Sequence, residues 1–186
     1  MDSYKLLCVW KRKQRREGAE MREMRLHKRE IRDLSVIKEI LEECQVVRLG
    51  LADEEGMFIV PVNYGYDLNI LDTGAKLTLY IHGSGEGRKA DALAVSSRIA
   101  IEMDCRHKII TGDYTCSYSY GYRSIMGSGT ATRLEAEDEK RYALERLMAH
   151  MSPEAELEFR PEMLERTAVY RIDVEYFTGK ERKKKQ

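Results

Sequence analysis

The chain has no excess of charge of either sign: 32 Lys and Arg balance 32 Asp and Glu over 186 residues. That balance excludes a global field drawing the whole surface onto nucleic acid. Paired cysteines are also missing. Cys8, Cys44, Cys105 and Cys116 form no C-x-x-C pair and no metal-ligand spacing, so they read as free thiols of a reducing compartment, and no metal site is expected. No apolar run is long enough to span a bilayer. The short apolar patch at residues 4–10 comes before a basic cluster, the reverse of a secretory signal. Together these absences set the expectation of a cytoplasmic protein with neither a membrane nor a nucleic-acid partner. Neither G-x-x-x-x-G-K-[ST] nor a strand-to-helix G-x-G-x-x-G with a following acid occurs, and there is no internal repeat.

Positive charge gathers at the two ends, KRKQRR within residues 5–16 and KERKKK at the close. Residues 1–20 are charged and without period, and Met21 or Met24 would suit as a start. The expected organisation is a basic extension over 1–20 outside the fold, one domain over 21–180, and a basic tail over 181–186.

Between the ends, hydrophobic period assigns the elements. Residues 35–44 (SVIKEILEEC) place Val36, Ile37, Ile40 and Leu41 at helical spacing behind Ser35 as N-cap. Residues 46–52 and 57–66, separated by the acidic turn 53–56, form a hairpin. Alternation marks further strands at 75–82, 97–104, 122–135 and 168–176. A helix over 136–151 carries Tyr142, Leu144, Leu147, Met148 and Met151 as its apolar stripe, and Pro153 and Pro161 bracket a short acidic helical segment. About six strands joined mostly by turns predict an antiparallel barrel with peripheral helices, mainly β within the α+β class. The loop over 106–120 holds Tyr114, Tyr118 and Tyr120, suited either to covering a planar ligand or partner or to plain packing.

Most of the chemistry lies in residues 79–93, LYIHGSGEGRKADAL. A strand empties into a turn with Gly83, Gly85 and Gly87, whose missing Cβ atoms let a ligand approach the backbone. Arg88 and Lys89 follow at the start of a helix, where two cations and the helix dipole favour an anion such as a phosphate. Charged glycine turns are also common as plain solvated loops, and spacing alone leaves both readings open.

Taken in order, RLGL, VPVNYGYD, LYIHGSGEGRKADAL, YRSIMGSGTA and EDEKRYALERLMAHM, with a closing strand ending in FTGK, resemble the pyridoxamine 5′-phosphate oxidase-like split-barrel flavoproteins, nearest their 5-nitroimidazole resistance branch. The resemblance implies an FMN-binding split β-barrel and a homodimer with FMN at the interface. It implies that Arg88 and Lys89 grip the phosphate together with Ser84 and Gly87 of the turn, that Pro61, Val62, Asn63 and Tyr64 run along the flavin edge, and that Ser124 is a further cofactor contact. His82 matches a histidine that lies near the flavin in such proteins and is the expected catalytic residue. The implied activity is an FMN-dependent oxidoreductase, a nitroaromatic compound or other small molecule being the electron acceptor and NAD(P)H a transient donor. Two alternatives stand beside it: a flavin-binding protein without turnover, and a split barrel using haem or a deazaflavin with His82 as axial ligand. The C-terminal arginine and histidine substrate motif of the oxidases is absent, so vitamin B6 oxidation is not expected.

Overall fold

The computed structural model describes residues 24–72 and 74–183. It contains eight strands, β1 (Glu30–Ile31), β2 (Val47–Asp53), β3 (Gly56–Val62), β4 (Gly65–Leu71), β5 (Gly74–Gly83), β6 (Arg98–Ile110), β7 (Ser119–Leu134) and β8 (Ala168–Arg182). Four helices accompany them: α1 (Leu34–Glu43), α2 (Arg88–Val95), α3 (Glu137–Met151) and α4 (Pro161–Arg166). The strands pair antiparallel in the order β3-β2-β6-β7-β8-β5-β4, and β1 adds to β8.

The two outermost strands of that order, β3 and β4, are consecutive in the chain, with only Asn63 and Tyr64 between them. In a flat sheet they would lie about 29 Å apart at ordinary strand spacing, whereas the link from Val62 to Gly65 reaches about 11 Å. The sheet therefore curls until β3 and β4 approach. They do not pair with each other, which leaves a split barrel.

Alternate residues fill its interior: Leu49 and Leu51 of β2, Leu77, Leu79 and Ile81 of β5, Ile101 and Met103 of β6, and Ile125 and Ile172 across β7 and β8. Helix α1 adds Ile37, Ile40 and Leu41 to that core. A smaller cluster of Tyr80, Leu134, Ala143 and Val169 forms where α3 packs on the other face of β5.

Several boundaries differ from the expectation for physical reasons. Helix α1 is capped by Asp33, not Ser35, because the Asp33 carboxylate accepts the Ser35 N–H at 2.9 Å. The region over 57–66 is two strands, since β4 starts afresh at Gly65 and pairs with β5. Strand β6 continues to Ile110 through a bulge between Cys105 and Lys108, where Arg106 takes φ +55, so only the tip of the 106–120 segment is loop. Tyr142 turns outward, and the buried face of α3 is instead Lys140, Ala143 and Leu147, with the Lys140 ammonium donating to the Leu164 carbonyl at 3.1 Å. The short helix begins at Pro161 and does not precede it. The basic extension over 1–20 lies outside the described residues. Among the described residues no helix is long and apolar enough to cross a membrane.

Candidate functional site

Strand β5 ends at Gly83 and α2 begins at Arg88, so residues 84–87 must reverse the chain within one tight turn. Gly87 sits at φ +98, a conformation that disfavours any side chain, and the Ser84 hydroxyl accepts the Glu86 N–H at 3.1 Å. The other two glycines make room for cations. A Cβ at Gly83 would fall 2.5 Å from the Lys89 ammonium, and one at Gly85 would lie 3.8 Å from Arg133 Nη2. The turn is thus a cradle with positive charge folded over it.

Lys89 is half-buried and has no hydrogen-bonding or ionic partner among the described residues. Desolvation holds its pKa below the usual lysine value. His82, next to the turn, projects from β5 on the solvent side. Partial burial of its ring, and then the nearby Lys89 charge, lower its pKa from 6.5, which favours the neutral imidazole. An uncompensated, partly desolvated ammonium is what an anion site presents before its ligand arrives.

Arg88, next to Lys89, already has partners. Its Nε and Nη2 form a fork on Asp53 at 2.6 and 2.9 Å, its plane lies over the Phe58 ring at 4.1 Å, and Glu55 is 3.6 Å away. Asp53 ends β2 and faces Gly56 across the hairpin, so Arg88 ties α2 to the β2–β3 turn. The Asp53 carboxyl is held below its usual range chiefly by the hydrogen bonds from Arg88.

The remaining expected residues spread over two further places. Pro61 and Val62 close β3 opposite Arg48 and Val47, and the Asn63 amide donates to the Gln45 carbonyl at 2.9 Å. Tyr64 is fully buried, its hydroxyl donating to the Leu41 carbonyl at 2.9 Å, so it belongs to the core. Ser124 lies on the outward face of β7 in a groove of about 370 Å³ with Met126, Ser128, Tyr176, Thr178 and Lys180. Ser124 lies nine positions before Arg133 on β7, about 30 Å of strand. The structure therefore joins His82, Ser84, Gly87 and Lys89 in one place and does not bring Ser124 to them within one chain.

Two features of this region are not legible in the local sequence. Arg133 reaches the turn only because β7 ends beside it. On the outward sheet face, Arg48 Nη1 bridges Glu102 at 2.9 Å and Asp104 at 2.7 Å, and Asp104 meets His107 Nε2 at 2.5 Å. Desolvation raises the Glu102 pKa. Around this polar strip Met57, Ile59 and Met126 are exposed, and Gly50 and Ala100 add no bulk between them.

A curled antiparallel sheet left open between β3 and β4, with a glycine cradle leading into a helix, defines a split-barrel protein. Residues 33–181 match the profile of the pyridoxamine 5′-phosphate oxidase family, and the chain belongs to that family. A solved structure of a candidate 5-nitroimidazole antibiotic resistance protein from Bacteroides thetaiotaomicron is 30% identical, with a TM-score of 0.69 over 81% of this chain and 85% of the other. The flavocytochrome Anf3 from Azotobacter vinelandii shares the fold at TM-score 0.72 and 21% identity, covering 87% and 72% of the two chains. An FAD and heme binding protein from Mycobacterium smegmatis does so at 0.71 and 20%, covering 82% and 73%. No curated protein matches the chain.

Proposed function

We propose that the protein is an FMN-dependent oxidoreductase that works as a homodimer with the cofactor between the subunits. The observation that carries this reading is the half-buried Lys89, without a partner among the described residues, folded over a glycine cradle at the start of α2. FMN, when bound, supplies hydride and single-electron transfer. The chain supplies the rest. Lys89 and Arg88 hold the phosphate with the first amides of α2, Ser84 and Gly87 shape the turn, and the backbone from Pro61 to Asn63 offers hydrogen bonds along the flavin edge. His82, its neutral imidazole favoured, is the group placed to donate a hydrogen bond or relay a proton.

The same reading explains why Ser124 lies far from the turn in one chain: a second copy supplies it. The outward face with Met57, Ile59 and Met126 is the surface that copy would cover. The 30% identical relative supports a small nitroaromatic compound as electron acceptor, and NAD(P)H would dock transiently as donor, as no dinucleotide-binding motif occurs.

The test is the absorption spectrum and sedimentation of the purified protein. Flavin bands, about one FMN per subunit and a dimer are expected. The double variant Arg88→Ala, Lys89→Ala should lose the flavin while staying folded, since each charge-assisted grip is worth about 1.5–3 kcal/mol. A haem Soret band instead of flavin, or a double variant that keeps FMN, would sink the assignment.

A further inference from the structure

The Arg88 fork is a cationic contact at the cradle that is already made, and its geometry separates it from a purely structural arginine. Arg123 spends both edges on carboxylates, Nε on Glu181 and Nη1 on Glu39, and is nearly buried. Arg88 makes hydrogen bonds through one edge only, with the Glu55 carboxylate 3.6 Å from Nη2. Nε and Nη2 meet Asp53, whereas the Nη1 protons have no acceptor among the described residues, and the side chain remains 45% exposed.

We propose that Asp53 is a positioning residue of the cofactor site, fixing Arg88 so that its free guanidinium edge is presented to the phosphate. This rests on the reading of the turn as the FMN phosphate site. Three constraints make the placement rigid. The carboxylate fixes one edge of the guanidinium, the Phe58 ring at 4.1 Å fixes its plane, and Asp53 is itself held because its Oδ1 also accepts the Glu55 N–H at 3.0 Å. A long arginine side chain gives up its rotamer freedom when it binds a ligand, and here it has done so beforehand. Both carboxylate oxygens are engaged by Arg88, and Oδ1 also by the hairpin amide, so the group supports the cation from behind.

The experiment compares the affinity of the apo-protein for FMN and for riboflavin, which lacks the phosphate, in the parent and in Asp53→Asn. The ratio of the two affinities isolates the phosphate grip. The expected result is a ratio narrowed by about five- to tenfold with riboflavin affinity unchanged. Glu55→Gln removes the same charge 3.6 Å from Arg88 without breaking the fork, and should leave the ratio as it is. Circular dichroism melts check that both variants are folded. An unchanged ratio in Asp53→Asn overturns the positioning role. So does a widened one, which would make Asp53 a competitor of the phosphate, and so does equal narrowing by Glu55→Gln, which would reduce the effect to net charge. A parent that binds FMN no better than riboflavin overturns the phosphate site itself, and the assignment of Asp53 with it.

Discussion

Where β3 passes into β4, three side chains close on backbone carbonyls: the Tyr64 hydroxyl meets Leu41, His150 Nε2 lies 2.9 Å from Cys44, and Asn63 holds Gln45, while the buried Arg146 Nε beside them has only the Asp67 carboxylate at 3.8 Å. Where β5 passes into α2, Lys89 has no partner among the described residues, and glycines stand in place of side chains. The two junctions belong to one sheet. They differ in what is left over after folding. The first spends its hydrogen bonds internally and is closed. The second keeps a cation, an imidazole and open backbone, which cost stability unless a ligand uses them.

The sharpest way to break the closed junction is at Gly65. A Cβ there would overlap the backbone of Arg146 and Leu147 in α3, and backbone cannot swing aside as a lysine tip can. Gly65→Ala should cost about 3 kcal/mol or more, or displace α3. By contrast Gly83→Ala meets only the Lys89 ammonium and should be tolerated by the fold. Urea unfolding of the two variants decides it. A parent-like midpoint for Gly65→Ala would mean that α3 is not seated on this glycine.

The same contrast explains what the sequence could reveal. Strands with one face inward, such as β5 with Leu77, Leu79 and Ile81, alternate cleanly and were legible. Strand β4 is an edge strand whose last residues are exposed on both faces, so Asp67 to Leu71 carry no such period. The far half of β6 is likewise exposed and bulged at Arg106. For the candidate site, the glycine turn and its two cations were visible because they are contiguous. The destination of Arg88 was not: Asp53 lies 35 positions earlier and meets it only through the fold. The expectation that the Tyr64 side chain runs along a flavin failed for a similar reason, since burial beneath α1 depends on where Leu41 ends up.

A smaller effect is expected at Tyr64. Tyr64→Phe removes the hydroxyl and leaves the Leu41 carbonyl unpaired in the core, which should cost about 1–2 kcal/mol. Flavin content should not change, because the ring faces Met103 and His150 and not the cradle. Loss of flavin with little loss of stability would reverse the contrast between the two junctions and return the Tyr64 side chain to the cofactor.

The smallest and most specific effect concerns His82. Partial burial and Lys89 lower its pKa in the folded chain beneath 6.5, so the folded state holds this proton less tightly than the unfolded state does. Its contribution is therefore fully present above pH 6.5 and is lost as pH falls through the lower folded value. In the apo-protein, the melting temperature should fall between pH 7.5 and pH 5 more steeply for the parent than for His82→Asn, whose side chain does not titrate. Lys89→Met removes one of the two causes and should bring the His82 titration, followed by NMR, part of the way back toward 6.5. In the flavin-loaded protein His82→Asn should keep the cofactor but slow reoxidation by a nitroaromatic acceptor in stopped flow. If the two pH profiles coincide and the reoxidation rates match, His82 is neither coupled to Lys89 nor catalytic. The open junction would then serve only to hold an anion.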